Sequence, residues 1–85
     1  MEPEAAFGRV LRELRLARSL SQEALALEAG LQRNYVSLLE RGLNSATIKT
    51  LFKLAPVLGV TVSSLMERVE HERSTSTRGS STKRS

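Results

Sequence analysis

An all-α fold of five helices is what this sequence predicts, and three features carry that expectation. Apolar residues recur at helical spacing in successive stretches between residues 3 and 69. Each stretch is opened by a proline or capping residue, or closed by a glycine. Nothing in the chain supports a strand or an internal repeat. At 85 residues it allows one small domain, which buries only about 60% of its unfolded surface and has little room for an enclosed active site.

Pro3 suits the first turn of a helix, where a missing N–H costs nothing. Phe7, Val10, Leu11, Leu14 and Ala17 then recur at i, i+3, i+4, i+7 and i+10, an amphipathic first helix of roughly 15 residues. Arg9, Arg12, Glu13 and Arg18 occupy its other face, Arg18 near the carboxyl end where the dipole favours a cation. Ser19-Leu20-Ser21 breaks the pattern, and Ser21 caps a second helix from Gln22 to Ala29. Leu25, Ala26 and Ala29 form its inward face, the alanines allowing close helix approach. Gly30 ends it and opens a turn of three or four residues.

The third helix spans about residues 32–41 and must stop at Gly42. Val36, Leu39 and Glu40 share one face, while Asn34, Ser37, Leu38 and Arg41 point roughly the other way. A loop at residues 43–46 leads to Thr47, the cap of a fourth helix with Ile48, Leu51, Leu54, Ala55 and Leu58 as its core stripe. Pro56 lies inside that pattern and should bend or end the helix near Ala55. Thr61 caps a fifth helix, Val62 to about Val69, closing a domain at residues 1–69. Residues 70–85 hold no aliphatic or aromatic side chain and are expected to form a disordered, basic, Ser/Thr-rich tail.

Thirteen basic and nine acidic residues give a net charge of +4, a balance that suits a polyanionic partner. Without cysteine there is neither a disulfide framework nor a thiolate metal site, and the single histidine, His71, cannot hold a metal alone. No metal or other cofactor is expected. Neither a convergent histidine–carboxylate set nor a phosphate loop is present, so the sequence does not read as an enzyme. It has no apolar run near the roughly 20 residues of a membrane span and no signal-peptide pattern. The expectation is a cytoplasmic protein, nucleoid-associated when bound to DNA, with no membrane partner.

The third helix is the candidate functional element. Gln32, Arg33 and Asn34 crowd its amino end, and their donor and acceptor pairs match base edges in the DNA major groove. A short helix, a glycine-containing turn and a helix with a polar front make a helix-turn-helix signature, here about residues 21–41. The competing explanation for the polar front alone is an ordinary solvated face.

The run Leu11 to Leu39, above all Leu20-Ser21-Gln22-Glu23, Ala26, Gly30 and Glu40-Arg41-Gly42, resembles the lambda-repressor-like (Cro/C1, Xre-type) family of DNA-binding domains. The likeness continues through Thr47-Ile48-Lys49-Thr50-Leu51 and Leu58-Gly59-Val60 to Leu65, covering about residues 6–68. Within that family, Arg33-Asn34-Tyr35-Val36-Ser37 looks most like the controller proteins of restriction–modification systems.

The resemblance implies a compact five-helix domain and a role for each matching residue. Gln32, Arg33, Asn34, Ser37 and Leu38 fall on base-facing positions; Leu38 either touches a thymine methyl or is simply an exposed leucine. Ser21, Gln22, Tyr35, Asn44, Ser45 and Thr47 fall on phosphate-contacting positions. Turn and capping chemistry is the competing explanation for those in the loop. Arg15 and Glu40 match a family ion pair between the first and third helices. Many relatives have proline where Ala46 stands, which implies a looser loop here. In controller proteins the fifth helix helps form a two-fold dimer, so Val62, Leu65, Met66 and Val69 become a candidate interface; the alternative is that they complete the monomer's own core.

The expected partners are double-stranded DNA and a second copy of the chain. The implied function is a transcriptional regulator that binds a pseudo-palindromic operator as a homodimer, its third helix in the major groove. The rival reading is an antitoxin or bridging adaptor that mainly holds another protein, a toxin or RNA polymerase, through Leu27, Leu38 and the fifth helix.

Overall fold

The computed structural model describes residues 1–80, with side chains as far as Thr75. Among these residues there are five helices and no strand: α1 (Pro3–Ala17), α2 (Gln22–Ala29), α3 (Arg33–Glu40), α4 (Ile48–Leu58) and α5 (Val62–Ser80). Three start on the hydroxyl the sequence supplies. Ser21 Oγ accepts from the Ala24 N–H at 3.0 Å, Thr47 Oγ1 from Thr50 at 3.1 Å and Thr61 Oγ1 from Ser64 at 3.0 Å. Each bond satisfies an amide that the first helical turn leaves without a partner.

α1 packs on α3 and α5, α2 on α3 and α4, and α4 on α5. Leu11, Leu25, Val36, Leu39, Leu54 and Leu65 are the largest fully enclosed side chains, and every helix contributes at least one of them. Gly8 explains how α1 comes so close to α3. A Cβ at that position would lie 2.5 Å from the carbonyl oxygens of Leu39 and Glu40, so only glycine fits. No single helix among the described residues is long and apolar enough to cross a membrane.

Four expectations are corrected. Ala17 is exposed, because the inward side of α1 at its carboxyl end is taken by Leu14 and Arg15. Ile48 is 73% exposed; the buried side of α4 runs through Thr50, Leu54, Ala55 and Leu58, which places its first residue on the outside. Pro56 does not end α4. It is exposed and only two residues short of the helix end, so the missing N–H deprives one carbonyl of a partner, and the helix closes at Gly59. Finally, α5 does not stop at Val69 but runs to Ser80, so residues 70–80 are helical where disorder was expected. Glu70, Glu72 and Arg73 are competent helix formers, and Glu72 is tied to Arg9 of α1 at 3.0 Å. The remaining tail, 81–85, lies outside the described residues.

Candidate nucleic-acid interface

α2 and α3 form the helix-turn-helix. Gly30 takes the left-handed conformation (φ 71°), and the Leu31 N–H returns to the Ala26 carbonyl at 2.8 Å, closing α2 sharply. Gln32 then caps α3 through its backbone, leaving its side chain out of the cap. Val36 and Leu39 anchor α3 at 0% exposure, each a burial of about 2–3 kcal/mol.

A polar network holds this helix against α1 and α2. Arg15 donates from Nε to Glu40 Oε2 at 2.6 Å and from Nη2 to Oε1 at 3.0 Å, a bidentate pair with side chains only 9% and 4% exposed. Its third nitrogen, Nη1, donates to the Leu20 carbonyl at 2.8 Å. The hydrogen bond to Glu40, reinforced by its charge, raises the Arg15 pKa above the ordinary guanidinium value despite the opposing effect of burial. Gln22 Nε2 also donates to Glu40 Oε1, at 3.0 Å. One carboxylate therefore joins α1, the start of α2 and the end of α3.

On the outside of α3, Gln32, Arg33 and Asn34 are exposed, with Ser37 and Leu38 half-buried one turn on. None of the polar side chains in this set makes a hydrogen bond or ion pair among the described residues. Four polar side chains of the kind that pair with base edges thus stand unoccupied on one short surface.

The phosphate-contact candidates are placed differently, since all six have an internal partner, of which only the caps made by Ser21 and Thr47 were expected from the sequence. Ser21 and Thr47 act as caps. Gln22 has one amide hydrogen on Glu40 and the second free. The Tyr35 hydroxyl lies 3.3 Å from both the Ser45 carbonyl and Thr50 Oγ1, tying α3 to the loop before α4. Ser45 Oγ donates to Glu4 at 3.2 Å, and Asn44 Oδ1 accepts from the Ser45 N–H at 3.1 Å, leaving the Asn44 amide nitrogen unused.

Of the four interface candidates on α5, two belong to the monomer's own core, the alternative the sequence left open. Leu65 is 0% and Val69 4% exposed, both enclosed by this chain's own helices. Val62 is half-buried, and Met66, at 37%, is the residue of the four with most surface to offer. Sequence reasoning also missed Gly8 and Thr50, whose roles depend on neighbours from distant parts of the chain. Among the described residues no group of three or more His, Cys, Asp or Glu side chains is placed to hold a metal ion.

A fold of this kind, with a polar-fronted helix braced behind by an ion pair, defines a class, and the family comparison agrees: residues 11–65 match the helix-turn-helix family model. The chain belongs to that family, in its Cro/C1-type branch, a family of DNA-binding transcriptional regulators and not of enzymes. Its relatives include control proteins of restriction–modification systems. It is 39% identical to the control protein C.BamHI of Bacillus amyloliquefaciens over 62 residues, 72% of this chain and 76% of that one. The crystal structure of the controller protein C.AhdI from Aeromonas hydrophila superposes with a TM-score of 0.71 at 44% identity, covering 73% of this chain and 94% of that one. The controller protein C.Esp1396I, crystallised as a tetramer with its natural 35 base-pair operator, matches with a TM-score of 0.76 at 29% identity, over 85% of this chain and 95% of that one.

Proposed function

We propose that this protein is a controller-type regulator that binds a pseudo-palindromic operator as a homodimer, with α3 of each copy in the major groove. The observation that supports this most is the run of unoccupied polar side chains, Gln32, Arg33, Asn34 and Ser37, backed by fully buried Val36 and Leu39. In this reading Arg33 forks onto a guanine and Asn34 bonds an adenine edge. Gln22, through its second amide hydrogen, and Asn44, through its free nitrogen, contact phosphates and set the register. A two-fold dimer places two such helices about 34 Å apart, one turn of DNA. Control then comes from protein concentration acting through dimerisation and cooperative operator binding.

The test is selection from a random duplex pool followed by a salt titration on the selected operator. The expected result is an inverted-repeat consensus and a log–log salt slope of about −5 to −7, for roughly six to eight neutralised phosphates. A flat salt response with no consensus favours the adaptor reading instead, for which Leu27, 81% exposed on α2, is the candidate contact.

A further inference from the structure

We infer that Leu38 and Leu43 form an apolar reading contact in the major groove, one that selects a pyrimidine carrying a C5-methyl group. This rests on the regulator reading above and names a specificity contact within it. Leu43 is 62% exposed and Leu38 half-buried. Leu38 does not pack on the apolar core, which takes Val36 and Leu39 from the same helix instead. A single exposed leucine needs no explanation, but two joined at the end of the reading helix do.

The turn after α3 is what joins them. Gly42 takes the left-handed conformation (φ 72°); its N–H returns to the Leu39 carbonyl at 3.1 Å, and the Leu43 N–H to the Leu38 carbonyl at 3.0 Å. Gly42 also lies against α1, where a Cβ added to it would stand 3.1 Å from the Ala5 Cα, so the turn is held from behind. An apolar contact between the two joined residues often accompanies this kind of helix end. That contact does not account for the pair, since Leu43 keeps more than half of its surface open.

Leu38 stands one helical turn beyond Asn34 and next to Ser37 on the outward side of α3, and Leu43 is followed by Asn44, whose amide nitrogen is unused. The apolar pair is therefore continuous with the residues assigned to base edges on one side and to phosphate on the other. A leucine has no donor or acceptor, so over most base edges it would strip water from polar atoms and return nothing. The C5-methyl of a pyrimidine is the apolar group that the major groove presents. Thymine carries that methyl and so does 5-methylcytosine, and the chemistry fits both.

The experiment measures, by fluorescence anisotropy, binding of the full chain to the selected duplex and to two series made from it. In the first, each thymine in turn is replaced by deoxyuridine, which removes the C5-methyl and keeps every hydrogen-bonding edge. In the second, each cytosine in turn is methylated at C5. Leu38→Ala, Leu43→Ala and, as a control on α2, Leu27→Ala are carried through both, with thermal unfolding by circular dichroism to check that each is folded. A loss of about fourfold in affinity at a thymine of the half-site, absent in Leu38→Ala or Leu43→Ala and kept in Leu27→Ala, supports the inference with thymine as the source of the methyl. A gain of similar size at a methylated cytosine, with the same dependence on the leucines, supports it with 5-methylcytosine as the source. Methyl groups that can be removed or added anywhere without changing affinity, or a methyl effect that persists in both folded leucine variants, overturn it. A parent protein that binds the unmodified duplex tightly but shows no methyl effect sinks this inference alone; one that binds no duplex sinks the regulator reading with it.

Discussion

Removing one partner of the Arg15–Glu40 pair should cost more than the pair itself contributes, because the charge left behind is buried and has lost its bidentate neighbour. Arg15→Ala is expected to destabilise the domain by about 3–5 kcal/mol in urea unfolding, whereas replacing Arg15 and Glu40 together by Met and Leu should recover most of that loss. The Arg15 pKa is raised in the fold, so while Glu40 is ionised its contribution is complete below the ordinary guanidinium value and lost only as pH climbs through the raised one. Alkaline titration short of strong base should therefore leave this contribution intact. Gly8→Ala forces a methyl group onto two carbonyl oxygens of α3 and should cost about 1–3 kcal/mol, read as a lowered urea midpoint. The pairing of residues 15 and 40 was legible through the family resemblance; the glycine was not, because only the packed structure reveals what stands opposite it.

At the scale of the element, α3 carries the prediction about reading. Arg33→Ala should weaken operator binding by about 1–3 kcal/mol and relax the preference at one base pair, without altering the melting temperature, since the side chain is exposed and makes no internal bond. Competition binding against single-base operator variants checks this; unchanged discrimination would count against Arg33 as a reading residue. The bounds of α2 and the caps of α4 and α5 were legible because they depend on local chemistry, a hydroxyl before an apolar run and a glycine after it. The reach of α5 was not. Its polar half lacks a hydrophobic signal, and its stabilising contact, Glu72 on Arg9, joins residues 63 positions apart. That contact is exposed on the Arg9 side, and Glu72→Ala should cost no more than about 1 kcal/mol.

For the whole molecule, the net charge of +4 predicts the sign of the salt dependence, with affinity for duplex DNA falling as counterion concentration rises. Assembly follows from the same scale. For the homodimer proposed above, dilution should lower operator occupancy more steeply than a monomer's binding curve allows.

The sequence by itself determined the first four helices and the start of the fifth, the serine and threonine caps, the glycine turn and the polar front of α3, since each of these is set by residues within a few positions of one another. The tertiary structure alone decided which apolar residues are spare. Leu65 and Val69 turned out to be core, Ile48 and Phe52 surface, and Gln22 a ligand of Glu40. Helical periodicity says which side chains share a face; what covers that face depends on how the other helices cross it, and that is set by packing between residues far apart in the chain.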